Sequence, residues 1–304
     1  MTPPILVGVD PVHHDADAPV FAAMLARATG APVIAVAAYR DDAPRSLSDA
    51  DQVDEARGDA MARLHAVEAA FHGLAIETAA VPGASAAHVL HDCAEAHGAG
   101  LVVLGSTHRG AVGRIALGST ADRLVHGATC PVAVAPVGFA DRMRGIDRVG
   151  VAFMDSEEGH EALRAAAALA AACGAELHAV TAVELIPWSS TGFAHPYDVE
   201  AHLTHRREQA RTSLRRALDR VRPAVPSHLE VRVDTPVAAL EQFSGDVDLL
   251  VCGSRGYGPL GSVLLGGVSR RLVHRAACPV VVVPRGTERV LEALAGALSE
   301  ARHA

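Results

Sequence analysis

Short runs of β-branched and other apolar residues alternate along this chain with longer segments in which alanine and leucine recur at helical spacing. Apolar runs of this length predict strands that are buried on both faces of a sheet. The predicted strands lie near residues 4–9, 32–38, 74–81, 100–104, 131–135, 147–153, 176–183, 228–233, 247–252 and 279–283. The longer segments predict helices near residues 17–29, 52–72, 84–97, 118–127, 156–173, 197–222, 236–243 and 266–276.

The second half of the chain repeats the first. The segment that begins at Gly105 aligns without a gap to the segment that begins at Gly253, and half of the positions are identical. Identity at this level marks a tandem duplication. At the amino termini of the halves, Val7-Gly8-Val9 aligns best with Val149-Gly150-Val151, which places Ala152 opposite Asp10.

Alternating strands and helices favour parallel sheets that are covered on both faces by right-handed crossovers. We therefore predict an α/β protein of two tandem, doubly wound, five-stranded parallel-sheet domains with a Rossmann-like architecture. The predicted domains span residues 1–140 and 145–286, with residues 137–146 as the linker. Residues 287–304 predict an amphipathic helix that docks on a domain or on a partner.

One helix entry carries a clear capping signal. Asp155 is followed three residues later by Glu158, which predicts a capping box with Asp155 as the cap of the helix near 156–173. Gly174 then predicts a left-handed end to that helix.

Composition narrows the function classes. The net charge is −8, so a nucleic acid or an anionic membrane is not an expected partner. Membrane spans need about 18–20 apolar residues, and no such run is present, nor is there a basic and apolar leader at the amino terminus. These features predict a cytoplasmic protein. Five scattered cysteines without a C-x-x-C pair predict reduced core residues, and the histidines show no metal-ligand spacing.

Each half carries a glycine-rich loop between its fourth strand and the next helix. Such a loop ends at a helix amino terminus, where free N–H groups and the helix dipole favour an anion such as phosphate. Neither loop contains a Gly-Lys-Ser motif, and no Gly-x-Ser-x-Gly elbow is present, so a fast ATPase or a hydrolase is not expected. Arginines near the loops either neutralise a polyphosphate or are simply solvated: Arg109, Arg114, Arg123, Arg255, Arg270 and Arg271.

The motif Gly-x2-Gly-x9-Gly-Ser/Thr after a strand, followed by a helix and a Cys-Pro-Val-x-Val-x-Pro strand, resembles the universal stress protein family. Val7-Gly8-Val9-Asp10 is similar to the first strand of that family. The resemblance covers nearly the whole chain and implies a nucleotide-binding fold. In this family the loop pattern separates members that bind ATP from members that do not.

In the first half, the resemblance places Asp10 near a nucleoside and Val36 beside its base. The loop keeps Gly105 but has His108 where the family has its second glycine. A histidine there either blocks the site or donates to an anion. The full set of predicted binding residues in this half is Asp10, Val36, Gly105, Ser106, His108, Gly118, Ser119 and Thr120.

The second half keeps all three loop glycines but departs elsewhere. Gly267 replaces the family's Ser/Thr, and Ala152 replaces the aspartate in the sequence alignment. Asp155 is a candidate substitute for that carboxylate, although its capping context favours a structural role. The predicted binding residues here are Val180, Gly253, Ser254, Gly256, Gly266 and Gly267.

The resemblance implies a regulatory stress-response protein without catalytic residues. ATP, alone or with Mg²⁺, is the expected cofactor, the first half is the favoured site, and occupancy is expected to modulate association. The apolar final strands predict pairing between the two halves and a homodimer between chains, besides an unknown protein partner. Two alternatives stay open: an interaction protein that has lost nucleotide binding, and a slow ATPase.

Overall fold

The computed structural model describes residues 2–13, 16–41, 47–107, 112–142, 145–184, 196–254 and 266–301. Within them it confirms the ten predicted strands. These are β1 (Ile5–Gly8), β2 (Val33–Tyr39), β3 (Ile76–Pro82), β4 (Leu101–Gly105), β5 (Val132–Ala135), β6 (Arg148–Ala152), β7 (Glu176–Val183), β8 (Ser227–Val233), β9 (Leu249–Gly253) and β10 (Val280–Val283).

The helices that the structure describes follow the predicted order, with one addition between the halves. They are α1 (Asp17–Thr29), α2 (Leu47–Val67), α3 (Ala86–Ala96), α4 (Ser119–Gly127), α5 (Phe139–Arg142), α6 (Glu157–Cys173), α7 (Pro196–Val221), α8 (Pro236–Phe243), α9 (Gly267–Val273) and α10 (Glu288–Ala301). A short 3₁₀ helix, Glu68–Phe71, extends α2.

All ten strands belong to one sheet, in the order β3-β2-β1-β4-β5-β10-β9-β6-β7-β8. The strands of each half are parallel to one another, as the alternating pattern predicts. At the centre, β5 and β10 run antiparallel, and Val134 lies opposite Val280. The final strands of the two halves therefore pair within the chain, which confirms that part of the association expected from the sequence.

Both faces of the sheet are buried, because successive side chains of a strand point to opposite sides. Val7 belongs to a core cluster that α1, α2, α6, α7 and α10 cover. Its neighbour Leu6 belongs to a second cluster under α3, α4, α8 and α9. This arrangement explains why the strands read as unbroken apolar runs.

Helix α6 begins differently from the sequence prediction. Its cap is Ser156, whose hydroxyl accepts a hydrogen bond of 3.2 Å from the Gly159 amide. Asp155 instead accepts a hydrogen bond from Ser213 at 2.6 Å and lies 3.0 Å from the Nε2 atom of His160. The capping box at Asp155 is therefore wrong by one residue. The predicted left-handed end of α6 is confirmed, because Gly174 has a φ of 67°. Gly30, the equivalent residue at the end of α1, has a φ of 69°.

Replacing Ser156 by alanine is expected to lower the free energy of unfolding by about 1 kcal/mol, because an α6 amide loses its capping acceptor. Replacing it by glycine should cost only a few tenths of a kcal/mol. Urea denaturation followed by circular dichroism measures both changes. Equal midpoints for the Ser156→Ala variant and the parent protein would contradict the assignment of the cap.

The segment predicted as the linker contributes to the core. It contains α5, and Phe139 in that helix is 1% exposed. Phe139 packs edge-on against Phe21 of α1 with the ring centroids 5.3 Å apart. The carboxylate of Asp17 accepts hydrogen bonds of 2.8 Å from the amides of Gly138 and Ala140. Residues 137–142 are thus fastened to the first half and do not form a loose connection.

Helix α10 packs against α6 and α1, one helix from each half. Leu291 and Leu294 are fully buried in this contact. The tail of the chain therefore covers the same face of the sheet in both halves.

Candidate functional site

A cavity of about 580 Å³ lies where β1 and β4 end, at the point where the strand order of the first half reverses. Open α/β sheets bind ligands at such switch points. Most of the residues predicted from the first half line this cavity, namely Asp10, Val36, Gly105, Ser106, Gly118, Ser119 and Thr120. His108 lies outside the described residues.

One wall of the cavity is apolar. Val36 and Ala38 come from β2, Leu90 from α3 and Leu104 from β4. Val36 is 1% exposed, so the residues packed around it hold its side chain in place. An apolar wall with a few polar groups opposite is typical of sites for small organic ligands.

Asp10 provides the negative charge of the site. Its Oδ1 atom accepts hydrogen bonds from the amides of Val12 at 2.8 Å and His13 at 3.2 Å. The Nδ1 atom of His13 lies 2.9 Å from Asp10 Oδ2. Partial burial raises the pKa of Asp10, but these hydrogen bonds outweigh burial, so the pKa of the carboxyl lies below its usual value. Asp10 is therefore an ionised acceptor at neutral pH.

The amino terminus of α4 lines the same cavity through Gly118, Ser119 and Thr120. Among the residues that the structure describes, no side chain caps this helix, so its first amide N–H groups are free to donate to a ligand. Gly118, at the cap position, comes close to Thr107, and a Cβ atom built on it would lie 2.8 Å from Thr107 Cγ2. A larger residue at position 118 would push the loop and the helix apart.

Ser106 has a structural role besides lining the cavity. Its hydroxyl donates to the Ala135 carbonyl at 2.8 Å and accepts from the Ala116 amide at 3.3 Å. The side chain is therefore committed to holding the glycine-rich loop on β5.

His13 lines the cavity although it was not among the binding residues predicted from the sequence. The sequence does contain an indication of this position. An aspartate whose carboxylate accepts hydrogen bonds from amides two or three residues later is a common turn motif, and Asp10 and His13 have that spacing. Thr107 and Ala86 also line the cavity without having been selected.

The structure corrects the alignment at the start of the second half. Gly8 pairs with Val36, whereas Ala152 pairs with Val180. Val7 likewise lies beside Val103 and Val151 beside Val251. These registers make Met154, and not Ala152, the structural equivalent of Asp10 in the second half. The second half still lacks a carboxylate at this position, while Val180 is confirmed as the structural equivalent of Val36.

The described start of the second-half loop, at Gly253 and Ser254, is packed tightly against its neighbours. A Cβ atom on Gly253 would lie 2.7 Å from the carbonyl oxygen of Glu158 in the first turn of α6. The Gly253 carbonyl accepts a hydrogen bond of 2.9 Å from Ser269 in α9. Val180 and Ser254 are fully buried. Gly266 and Gly267 lie at the start of α9, and Gly256 lies outside the described residues.

Two of the arginines near the loops bind protein groups. Arg114 donates to the Arg275 carbonyl at 2.6 Å and to Glu241 at 3.2 Å, so it joins the two halves. Arg123 lies 3.4 Å from the Ser85 hydroxyl. Arg270 and Arg271 are exposed on α9, and Arg109 and Arg255 lie outside the described residues.

The five cysteines are free thiols, as predicted. Burial raises the pKa of Cys130 and of Cys252 to about 12. These thiols are protonated at neutral pH and are poor nucleophiles. Among the helices that the structure describes, none is both long and apolar enough to span a bilayer.

Comparisons with known proteins agree with the duplicated fold. Residues 1–136 and 145–284 each match the universal stress protein family. Universal stress protein Rv2005c of Mycobacterium tuberculosis is 36% identical over 196 residues, which is 60% of this chain and 61% of that protein. The chain thus matches about three fifths of the length of this relative. A universal stress protein of Mycolicibacterium smegmatis is 32% identical over 216 residues, or 70% of each chain.

Two solved structures share the fold along nearly the whole chain. Protein PA1789 of Pseudomonas aeruginosa PAO1 superposes with a TM-score of 0.65 at 17% identity and covers 97% of both chains. A universal stress protein from Archaeoglobus fulgidus superposes with a TM-score of 0.60 at 19% identity, covering 92% of this chain and 96% of that one.

Proposed function

Because the chain belongs to the universal stress protein family, with two copies of its domain in tandem, we propose that it binds an adenine nucleotide in its first half and acts as a regulatory protein. ATP, alone or with Mg²⁺, is the nucleotide that we assign. The observation that carries the proposal is the convergence of three groups on one cavity: the apolar wall at Val36, the ionised Asp10 and the uncapped start of α4.

The three groups match the three parts of a nucleotide. An apolar wall suits the flat faces of a base, because moving apolar surface out of water is favourable in free energy. The Asp10 carboxylate accepts hydrogen bonds from ribose hydroxyls or from an amino group. Free amides at the start of α4 donate to phosphate oxygens, and the helix dipole favours their charge. The volume of about 580 Å³ falls within the usual range of ligand sites.

We assign nucleotide binding to the first half and not to the second. Met154 in place of Asp10 removes the acceptor, and Asp155 is engaged with Ser213 and His160. The close contact of Gly253 with the Glu158 carbonyl leaves little room beside β9. These contacts support a structural or partner-binding role for the second loop.

We propose binding in preference to hydrolysis. Every basic residue of the chain other than histidine is arginine, so no lysine ammonium can hold a transferring phosphoryl group. A slow ATPase would also need a group that activates the attacking water, and among the described lining residues Asp10 and His13 are the titratable ones.

The regulatory role that we propose is a change of association upon nucleotide binding, in the cytoplasm, with a second copy or with another protein. We assign the domains to residues 1–140 and 145–286, followed by the tail at 287–304. Light scattering during gel filtration tests the homodimer, and the same measurement with ATP tests its regulation.

The decisive experiment for the ligand is a nucleotide assay on the purified protein. The protein is denatured without added nucleotide, and ATP, ADP and AMP in the supernatant are quantified by ion-pairing chromatography. We expect one adenine nucleotide per chain. Two per chain would contradict the restriction to the first half. None, followed by no heat signal upon titration with ATP, would overturn the proposal and favour the interaction protein without nucleotide.

A further inference from the structure

Two histidines and a glutamate meet at the amino-terminal end of β7 and β8, which are separated in the chain by a long helix. His178 and His228 are paired across these parallel strands, and Glu176 precedes His178 by two residues on the same face. The Nε2 atoms of His178 and His228 lie 3.2 and 3.3 Å from the same oxygen, Oε2 of Glu176. The two imidazole rings are stacked with their centroids 4.6 Å apart.

These separations match the edges of a tetrahedron around a metal ion. Zinc bonds of about 2.0–2.1 Å to nitrogen and oxygen place two ligand atoms about 3.3–3.4 Å apart. One donor atom from each of the three residues already lies within 4.8 Å of the other two. Two imidazoles and one carboxylate suit a borderline divalent cation. We propose that Glu176, His178 and His228 form a binding site for a divalent transition-metal ion such as Zn²⁺, with water as the fourth ligand.

The first half has no such cluster, although the strands are equivalent. The strand registers place Pro32, Ile34 and Glu77 at the three positions. Ile34 is buried under the neighbouring helix, as a strand residue of this face should be. His178 replaces it with a side chain that is 24% exposed, whereas Glu176 and His228 are about half exposed. An ion could therefore reach the site from solvent without unfolding the sheet.

The charged residues around the cluster are already engaged with other groups. Arg148 lies beside Glu176 in the sheet, but its guanidinium donates to the Asp246 carbonyl at 3.3 Å. Glu230 is bound by Arg232, which also binds Asp246 at 2.7 Å. Glu176 is thus left to the two histidines, and an ion would take the place of their present close contacts with its Oε2 atom.

The ion would fasten β8 to β7. Since β8 is an edge strand with unpaired backbone groups on its outer side, it is a place where a sheet can open or pair wrongly. A metal bond across the last strand pair would hold this edge in register, and it would act only in the second half of the molecule.

The site is tested with tag-free, chelator-treated protein and two probes. Co²⁺ titration is followed by visible absorption, and Zn²⁺ titration by calorimetry with competition against Co²⁺. We expect one ion per chain, with the absorption of a four-coordinate Co²⁺ centre. The variants His178→Asn, His228→Asn and Glu176→Gln should each weaken binding by at least ~10-fold, since even residues behind the ligands commonly change affinity by ~10–100-fold.

The matched control is His91→Asn, because His91 also lies close to a glutamate, 3.6 Å from Glu95, but belongs to no group of three potential metal ligands among the described residues. This variant should bind the ion as the parent protein does. Circular dichroism establishes that each variant is folded, and the exposed His228 decides the question if His178 disturbs β7. Unchanged affinity in the His228→Asn variant would assign the ion to other histidines and overturn the proposal, as would the absence of binding in the parent protein.

Discussion

Replacement of Phe139 by alanine should lower the free energy of unfolding by about 3–5 kcal/mol, the usual cost of removing a buried aromatic ring. Phe139 is 1% exposed and contacts the equally buried ring of Phe21. The two hydrogen bonds that the Gly138 and Ala140 amides donate to Asp17 hold this helix in place, so the space left by the missing ring cannot easily close. A loss of this size would be large against the ~5–15 kcal/mol by which domains are stable.

Guanidinium denaturation of the Phe139→Ala variant measures the effect, with Asp141→Ala as its control. Asp141 is exposed on the same short helix, and its replacement should change the free energy of unfolding by no more than about 0.5 kcal/mol. If both variants unfold at the same denaturant concentration as the parent protein, residues 137–142 form a loose linker, as the sequence alone suggested.

Replacement of Asp10 by alanine is expected to weaken ATP binding by about 10–150-fold. This range corresponds to the ~1.5–3 kcal/mol that a hydrogen bond to a charged group contributes. The Asp10→Asn variant keeps an oxygen that can accept from the Val12 and His13 amides, so the turn after β1 should survive. Its affinity should lie between those of Asp10→Ala and the parent protein, because the acceptor remains but the charge is lost.

Met154→Ala is the matched control, since the strand registers place Met154 opposite Asp10 and its side chain is exposed. Calorimetric titration with ATP should give the same affinity for this variant as for the parent protein. A loss of binding in Met154→Ala together with full binding in Asp10→Ala would move the nucleotide site to the second half.

The sequence was sufficient to predict the strands, because runs such as Val280–Val283 can be buried only where both faces of a sheet are covered. The resemblance to the universal stress protein family selected Asp10, Val36 and Gly118, and the structure places all three around one cavity. Topology explains why they are neighbours, because the ends of parallel strands meet at one edge of a sheet and bring together the residues that follow β1 and β4.

Three features of the structure could not be predicted from the sequence. Aligning Val149-Gly150 with Val7-Gly8 placed Ala152 opposite Asp10, but pairing with β7 and β9 shifts the register by two residues. Serine and aspartate are both favoured at the cap position of a helix, so the residue type does not decide between Ser156 and Asp155. The backbone conformation at the start of α6 decides, and it makes Ser156 the cap. His178 and His228 are separated by a helix, so their contact depends on strand register and leaves no spacing pattern.

The antiparallel pairing of β5 with β10 has a geometric consequence for any partner. It reverses the strand direction between the halves, so the carboxyl ends of β1 and β4 point the opposite way from those of β6 and β9. Gly105 and Gly253, at which the two glycine-rich segments begin, therefore lie at opposite ends of the sheet. A protein that docks beside Gly105 would therefore leave the Gly253 end of the sheet uncovered.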